Sequence, residues 1–391
     1  MPENAALPML TGVKVVDLTT VVFGPYCTQI LADLGAEVIK VETPSGDVLR
    51  WAAKSAKTKG MAPIFFGFNH GKQSITLDLK QPEDNAVIKA LLADADVFVA
   101  NVRGKALERL GLDYEAVKAI RPDIVYVHCV GFGQDGPYAD LQAYDDVIQA
   151  AGGVTSLLPL VDGNPQPRFM PSLIADKVSG LHAAYATMAA LFHRERTGEG
   201  QKVEVPMLES FASFMMNEHL GGLTFDPPVG PPGYARQLDP ERQPFRTADG
   251  YIVIVAYTYE SWDVIFAILG EPDYIMDPRF EGPANRAAAM PELYRHMAEL
   301  TPNFTTAHLL KACHAAQIPA QPVNDIAGVL ADEHLNAVGL FRQREHPTEG
   351  TYHEIGQPVR FGAMPKTKRR APPRLDQDGQ AIRRKLDGKA D

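Results

Sequence analysis

A few positions carry residue types that could do chemistry. Asp176 stands near the head of PSLIADKVSGLHAAYATMAALFHRERTGEGQ (171–201), a helix-like run built mostly from Ala, Gly, Leu and Met. An aspartate there can serve two purposes. As an N-cap it accepts hydrogen bonds from backbone N–H groups, worth about 1 kcal/mol, and its charge suits the positive end of the helix dipole. As a partly desolvated carboxylate it is a usable nucleophile, expected to be ionised at neutral pH because the reference pKa is about 4. Gly180, Ala183, Ala184, Ala186, Ala189 and Ala190 permit close packing and predict a buried helix. On the residues alone both readings stand.

Three other groups offer chemistry. Arg103, Lys105 and Arg109 follow the strand-like DVFVAN (96–101), where side-chain charge and a helix N-terminus could hold a phosphate. An ordinary solvated helix start explains them equally well. His128 and Cys129 suggest a base and a nucleophile. Neighbouring strand residues point to opposite faces, so the two read as a satisfied His and a core Cys. GFGQDG (131–136) matches G-x-G-x-x-G, but Pro137 and Tyr138 follow where a helix should open. The first strand–helix turn, TTVVFGP, also lacks the fingerprint, so no nicotinamide or flavin site is expected. The histidines show no metal-ligand spacing, and no metal is expected.

The elements that must position these residues alternate. VKVVDL (13–18), EVIKVE (37–42), SITLDL (74–79), DVFVAN (96–101) and DIVYVHCV (123–130) read as strands. Helices are predicted over 24–35, from Pro82 to about Ala93, and from Leu107 to Ile120. This is an α/β pattern: a Rossmann-like doubly wound parallel sheet. The pattern changes after Val205. Residues 214–241 become dense in Gly and Pro and read as a long crossing segment. GYIVIVAYT (250–258) reads as a strand, and 260–270 and 291–316 as helical. The predicted organisation is a large domain over 1–205, a crossing linker over 206–225, a smaller α+β domain over 226–330, and a C-terminal segment, 331–391, returning to the large domain. That segment ends in a predicted helix, GQAIRRKLDG.

Composition limits the classes. A chain of 391 residues, 45% hydrophobic and 22% charged, reads as a soluble globular protein of two domains. The net charge of −10 argues against nucleic acid as a partner. The contrary patch, KTKRR (366–370), reads as a solvated tail. No apolar run is long enough for a membrane span, and MPENAALPMLTG lacks the charged start of a secretory signal. Three scattered cysteines, Cys27, Cys129 and Cys313, form no disulfide framework, which points to the cytoplasm.

Several phrases, in order, resemble the family III CoA-transferases, a group that includes formyl-CoA transferase, carnitine CoA-transferases and α-methylacyl-CoA racemase. They are LTGVKVVDLTTVVFGPYCTQILADLGAEVIKVE, NHGKQSITLDLKQPED, NVRGKALERLGL, GFGQDGPYADLQAYDDVIQAAGG, ADKVSG, RTGEGQKVEVPMLES and PFRTADGYIVI, with APPRLDQDGQAIRRKLDG as a looser match. The resemblance implies an acyl-CoA:carboxylate CoA-transferase, with the family's catalytic aspartate on Asp176. That carboxylate would form a mixed anhydride with the acyl group, then an aspartyl-CoA thioester. CoA arrives as part of the substrate, and no further cofactor is implied. The partners implied are an acyl-CoA, a small carboxylic acid and a second copy of the chain, in an interlocked homodimer.

Residue by residue, the resemblance places Asn101, Arg103, Arg109 and Leu77 at the CoA, with Leu77 beside the adenine. It places Thr20, Val22, Phe23, Gly24, Tyr144 and Asp145 at the thioester. Formyl-CoA transferase has His and Gln where this chain has Thr20 and Val22, and a basic residue where it has Gln142. These departures disfavour formyl-CoA and oxalate and suggest a more apolar acyl pocket. The glycine-rich lid of that enzyme has two candidate counterparts, Gly221-Gly222 and Gly230-Pro-Pro-Gly233. The racemase branch has a His at the position of Tyr144. Tyr, with a reference pKa near 10, is a poor proton shuttle, so transfer is favoured over racemisation. A non-catalytic CoA- or nucleotide-binding protein is the remaining alternative. A structural Tyr144 and a capping Asp145 stay open.

Overall fold

The structure, a computed structural model, describes residues 7–364 and 369–388. Two compact units divide the chain. The larger takes residues up to Thr155, Phe169–Asn217 and the chain from Ala337 onward; the smaller takes Ser156–Arg168 and Glu218–Asn336.

The larger unit is built on six strands: β1 (Lys14–Leu18), β2 (Glu37–Glu42), β3 (Lys72–Thr76), β4 (Val97–Ala100), β5 (Val125–Val130) and β6 (Gln201–Pro206). All pair in parallel, in the order β3-β2-β1-β4-β5-β6. The order reverses between β1 and β4. Their C-terminal ends diverge into a crevice, the place where open α/β sheets bind ligands. The expected doubly wound sheet is therefore present, with differences in detail. Strand β3 lies two residues earlier than SITLDL suggests. Strand β6, QKVEVP, falls where the alternation seemed to stop; its side chains are mostly half-exposed, so it lacks the continuous apolar signal of β4.

The helices of the first half are α1 (Phe23–Asp33), α2 (Pro63–Phe68), α3 (Pro82–Ala93), α4 (Gly104–Leu110), α5 (Tyr114–Ile120) and α6 (Asp145–Ala151). The single helix expected over 107–120 is two. Gly111 takes the left-handed conformation that ends α4, and the Asp113 carboxylate accepts from the N–H groups of Glu115 and Ala116 to start α5. Helix α7 (Leu157–Asp162) belongs to the smaller unit.

Helix α8 (Ile174–Thr197) runs 24 residues and ends where Gly198 turns left-handed. It packs along α1 through its small residues. A Cβ added at Gly180 would lie 2.9 Å from the Phe23 carbonyl oxygen and 3.0 Å from the Tyr26 ring. The helix is not buried all round, as its composition suggested. Ala183, Ala184 and Ala190 are inside, while Leu181, Tyr185, Ala189 and Phe192 face outward from the single chain. The expected linker over 206–225 opens as a helix, α9 (Met207–His219).

One face of the sheet packs Val16, Val41, Ile75, Phe98 and Tyr126 against Ile88, Leu92, Leu107 and Val117 from the helices. The C-terminal helix, Gly379–Leu386, adds Ile382 to this core. Of the basic run KTKRR, residues 366–368 lie outside the described residues, as do 1–6 of the N-terminal stretch. The rest of that run is not a solvated tail: Arg369 pairs with Asp33 at 2.5 Å, and Arg370 pairs with Asp378.

The smaller unit carries an antiparallel sheet, β7 (Phe245–Arg246), β8 (Tyr251–Ile254) and β9 (Ala320–Pro322), over a core that includes Trp262, Phe266, Leu293 and Leu309. The helical stretch expected over 291–316 is broken by a 3-10 turn at Thr301–Asn303. The two candidate glycine lids are one structure here. The Gly222 N–H donates to Pro231 O at 3.0 Å and the Gly233 N–H to His219 O at 2.8 Å.

Candidate active site

The crevice at the strand reversal is a cavity of about 960 Å³, near the upper end of ordinary ligand pockets. Asp176 opens into it. Around it lie Thr20, Val21 and Phe23 from the turn between β1 and α1, Cys129 and Val130 from the end of β5, and Ala143 and Tyr144 before α6. The cations Arg103, Lys105 and Arg109 line it from the start of α4 and along that helix. Lys105 is committed to Asp140 at 2.9 Å, on the exposed rim.

Asp176 is not a cap. It is the third residue of α8, and the N-cap position is Leu173, which makes no side-chain hydrogen bond. Asp145 does the capping from 31 residues away: its Oδ1 accepts from the Asp176 N–H at 3.0 Å, satisfying one of the helix's orphan donors. Its Oδ2 accepts from Gln149 at 2.6 Å. Gln149 also donates to the carbonyls of Met170 and Ser172 and accepts from the Met170 N–H. Two side chains one turn apart on α6 thus fix the strand of chain that leads into Asp176.

The Asp176 carboxyl is 5% exposed. Burial pushes its pKa up to about 7, the Asp145 charge adds to the rise, and the Phe23 N–H opposes it. The expected fully ionised carboxylate is therefore about half protonated at neutral pH. Phe23 is the first residue of α1, so the positive end of that helix faces the acid.

The other expected site residues divide. Thr20, Phe23, Asn101, Arg103, Arg109 and Tyr144 line the cavity, as does Gln142. Val22 does not: it is fully buried with Leu49 and Phe65, and Val21 takes the cavity wall instead. The positive φ of Val21, 69°, rotates the turn by one residue. Gly24 is also inside; a Cβ there would lie 2.4 Å from the Thr19 side chain, so its role is close approach. The Leu77 side chain is 1% exposed and belongs to the sheet core, so it cannot lie against a base. Asp145 sits behind Asp176 rather than on the wall.

His128 bonds to the Val102 carbonyl at 2.9 Å. Burial raises the Cys129 thiol well above its ordinary pKa, which suits a core residue and not a nucleophile. The glycines of GFGQDG form a turn. The Gly133 N–H donates to Glu209 at 2.8 Å and the Gln134 N–H to Glu204 at 2.9 Å.

Residues 10–379 match the model of a family described as CoA-transferase family III. The chain belongs to CoA-transferase family III. This transferase is 32% identical over 377 residues to the succinate–glutarate CoA-transferase of Agrobacterium fabrum, covering 94% of this chain and 93% of that protein. It is 32% identical over 391 residues to the formyl-CoA:oxalate CoA-transferase of Afipia carboxidovorans, covering 93% of this chain and 90% of that one. The crystal structure of a CAIB/BAIF family protein from Brucella suis superposes with a TM-score of 0.84 at 32% identity, over 97% of this chain and 100% of that one.

Beneath the transferase's cavity lies a set of charges that sequence reasoning missed. Lys40 and Asp47 pair at 3.0 Å, Lys72 and Asp17 at 3.1 Å, and Arg50 and Glu42 at 2.7 Å; all six side chains are fully buried or nearly so. Burial opposes the Lys40 ammonium, but Asp47, Asp17 and Glu42 outweigh it, and its pKa is raised. Burial likewise opposes the Asp17 carboxylate, but Lys72 and Lys40 outweigh it, and its pKa is lowered. The signal was present in EVIKVE: a charged residue in mid-strand of a sheet covered on both faces needs a buried partner.

Proposed function

We propose that this transferase moves CoA from an acyl-CoA to a small carboxylic acid, with Asp176 as the covalent carrier. The observation that carries this reading is a buried carboxyl, raised to about 7, at the cavity wall and opposite a helix N-terminus. An ionised Asp176 oxygen attacks the thioester carbonyl. The C–S bond breaks, CoA thiolate leaves, and a mixed anhydride forms. The thiolate then attacks the aspartyl carbonyl and displaces the donor acid, leaving an aspartyl-CoA thioester. The acceptor carboxylate attacks that thioester to give a second anhydride, and the thiolate takes the new acyl group. Asp176 returns as a carboxylate. An anhydride is as activated as a thioester, which is the reason to use a carboxyl rather than a thiol or hydroxyl.

In this reading the Phe23 N–H steadies developing negative charge. Burial of Asp176 keeps water from the anhydride. Arg103 and Arg109 hold CoA phosphates, and Thr20, Phe23 and Tyr144 border the thioester. The outward apolar residues of α8, Leu181, Tyr185 and Phe192, support a homodimer, interlocked as the resemblance implies. Among the described residues no helix is long and apolar enough to cross a membrane. The free, buried Cys27, Cys129 and Cys313 fit a reducing cytoplasm.

The test is a panel of acyl-CoAs against carboxylic acids, read by mass spectrometry, with wild type beside Asp176→Ala. The expected result is transfer in wild type and none in the variant. Turnover left intact in Asp176→Ala overturns the proposal. Wash-in of deuterium at the substrate α-carbon at catalytic rates, without an acceptor acid, would assign racemisation instead.

A further inference from the structure

The turn between β1 and α1 is held from all sides. Thr19 donates its N–H to Asp17 at 3.0 Å, and its carbonyl accepts from Lys40 at 2.8 Å. Asn101 brackets the next residue: its Oδ1 accepts from the Thr20 N–H at 3.0 Å and its Nδ2 donates to the Thr20 carbonyl at 2.8 Å. The Val21 N–H donates to Asp47 Oδ1 at 3.3 Å. Asp47 in turn pairs with Lys40, neither with any exposed side chain. Three consecutive residues are thus bonded to side chains from four separate places in the chain.

What the grip holds is strained. Val21 has φ 69°, and it is the one β-branched residue among the three non-glycine residues with positive φ in the described chain. The left-handed region crowds a β-branched side chain, and such outliers persist only where surroundings over-determine them. The strain has a consequence two residues on. The turn ends at Phe23, whose N–H faces the Asp176 carboxylate and whose carbonyl packs on Gly180 of α8. A relaxed turn would re-aim the start of α1.

We propose that Lys40, Asp47 and Asn101 are positioning residues for acyl transfer: they clamp the Thr19–Val22 turn in a strained form that points the N-terminus of α1 at Asp176. This rests on the reading of Asp176 as the acyl carrier. Asn101 spends one Nδ2–H and one Oδ1 lone pair on Thr20, so its side chain braces the turn from the cavity wall. Lys40 and Asp47 are outside the cavity wall, so any effect they have on turnover passes through the backbone they hold.

The test compares Lys40→Met and Asn101→Ala, each with and without Val21→Gly. Glycine adopts positive φ without strain, so it removes the need for the clamp. Steady-state transfer is measured together with acyl capture on Asp176 without an acceptor acid. Each single variant should lose about tenfold to a hundredfold in kcat, the range expected of a misaimed group. KM for acyl-CoA should stay within about threefold, because the cations that hold the ligand are untouched. Adding Val21→Gly should restore at least about fivefold in either background, a recovery that general destabilisation would not give. Should Lys40→Met fail to fold, Asn101→Ala carries the comparison, since its side chain is on the cavity wall and not in the core. Wild-type kcat in Asn101→Ala, a change confined to KM, or no recovery with Val21→Gly overturns the clamp. Absence of capture on wild-type Asp176 overturns the carrier reading and the clamp's target with it. Capture in wild type at a rate the variants share overturns the clamp alone.

Discussion

Acyl capture by Asp176 should rise about tenfold between pH 6 and pH 8. The magnitude follows from burial. With a pKa of about 7 the carboxyl is about one-eleventh ionised at pH 6 and about ten-elevenths at pH 8. Only the ionised form attacks. The assay is rapid mixing with acyl-CoA and no acceptor acid, quenched and read by intact-protein mass spectrometry. The same shift has a stability counterpart with a definite sign. A raised carboxyl pKa disfavours the folded chain once the group ionises. That cost is absent at low pH, where folded and unfolded chains are both protonated. It grows as pH climbs from about 4 and is complete above about 7, reaching on the order of 4 kcal/mol. Asp176→Asn removes it, so the variant should melt above wild type at pH 8, with the gap closing toward pH 4. A capture rate flat from pH 6 to 8, or a melting gap that ignores pH, refutes the argument that burial tunes this acid.

Asp145→Asn keeps an oxygen to accept the Asp176 N–H but removes the neighbouring charge, so the midpoint of capture should move below about 7; an unmoved midpoint on titration would deny that contribution. Gly180→Ala places a methyl 2.9 Å from the Phe23 carbonyl oxygen, and thermal melting should show a loss of about 1–3 kcal/mol. Arg109→Ala should raise KM for acyl-CoA about tenfold, the worth of a charge-assisted phosphate contact, while saturated capture is unchanged; a fall in kcat alone would remove Arg109 from the binding role.

How far the sequence led depends on where each signal lives. The apolar runs around Val15, Val38 and Val97 announce the parallel sheet, because buried strands need nothing else. Strand β6 hides because Lys202 and Glu204 alternate with its valines. Asp176 was legible as a cavity-wall candidate through the ordered motifs around it. Its capping partner was not: the Asp145 carboxylate meets the Asp176 N–H across 31 residues, and no local spacing encodes that. The pair Asp17–Lys72 was equally hidden, since the sheet brings β1 and β3 together, and Lys40 needed a buried partner without its strand naming Asp47. The Leu77 side chain went into the sheet core because apolar burial claimed it, and Val22 turned inward for a conformational reason. A turn with one positive φ exchanges which of two valines faces the cavity, and sequence does not record φ.

The central claim is that Asp176 carries the acyl group and then CoA. Incubation with acyl-CoA, followed by hydroxylamine or borohydride and peptide mapping, tests it most directly. The account predicts one modified peptide, altered at Asp176, and none in Asp176→Ala. Modification elsewhere, or full transfer with Asp176 never modified, would contradict it.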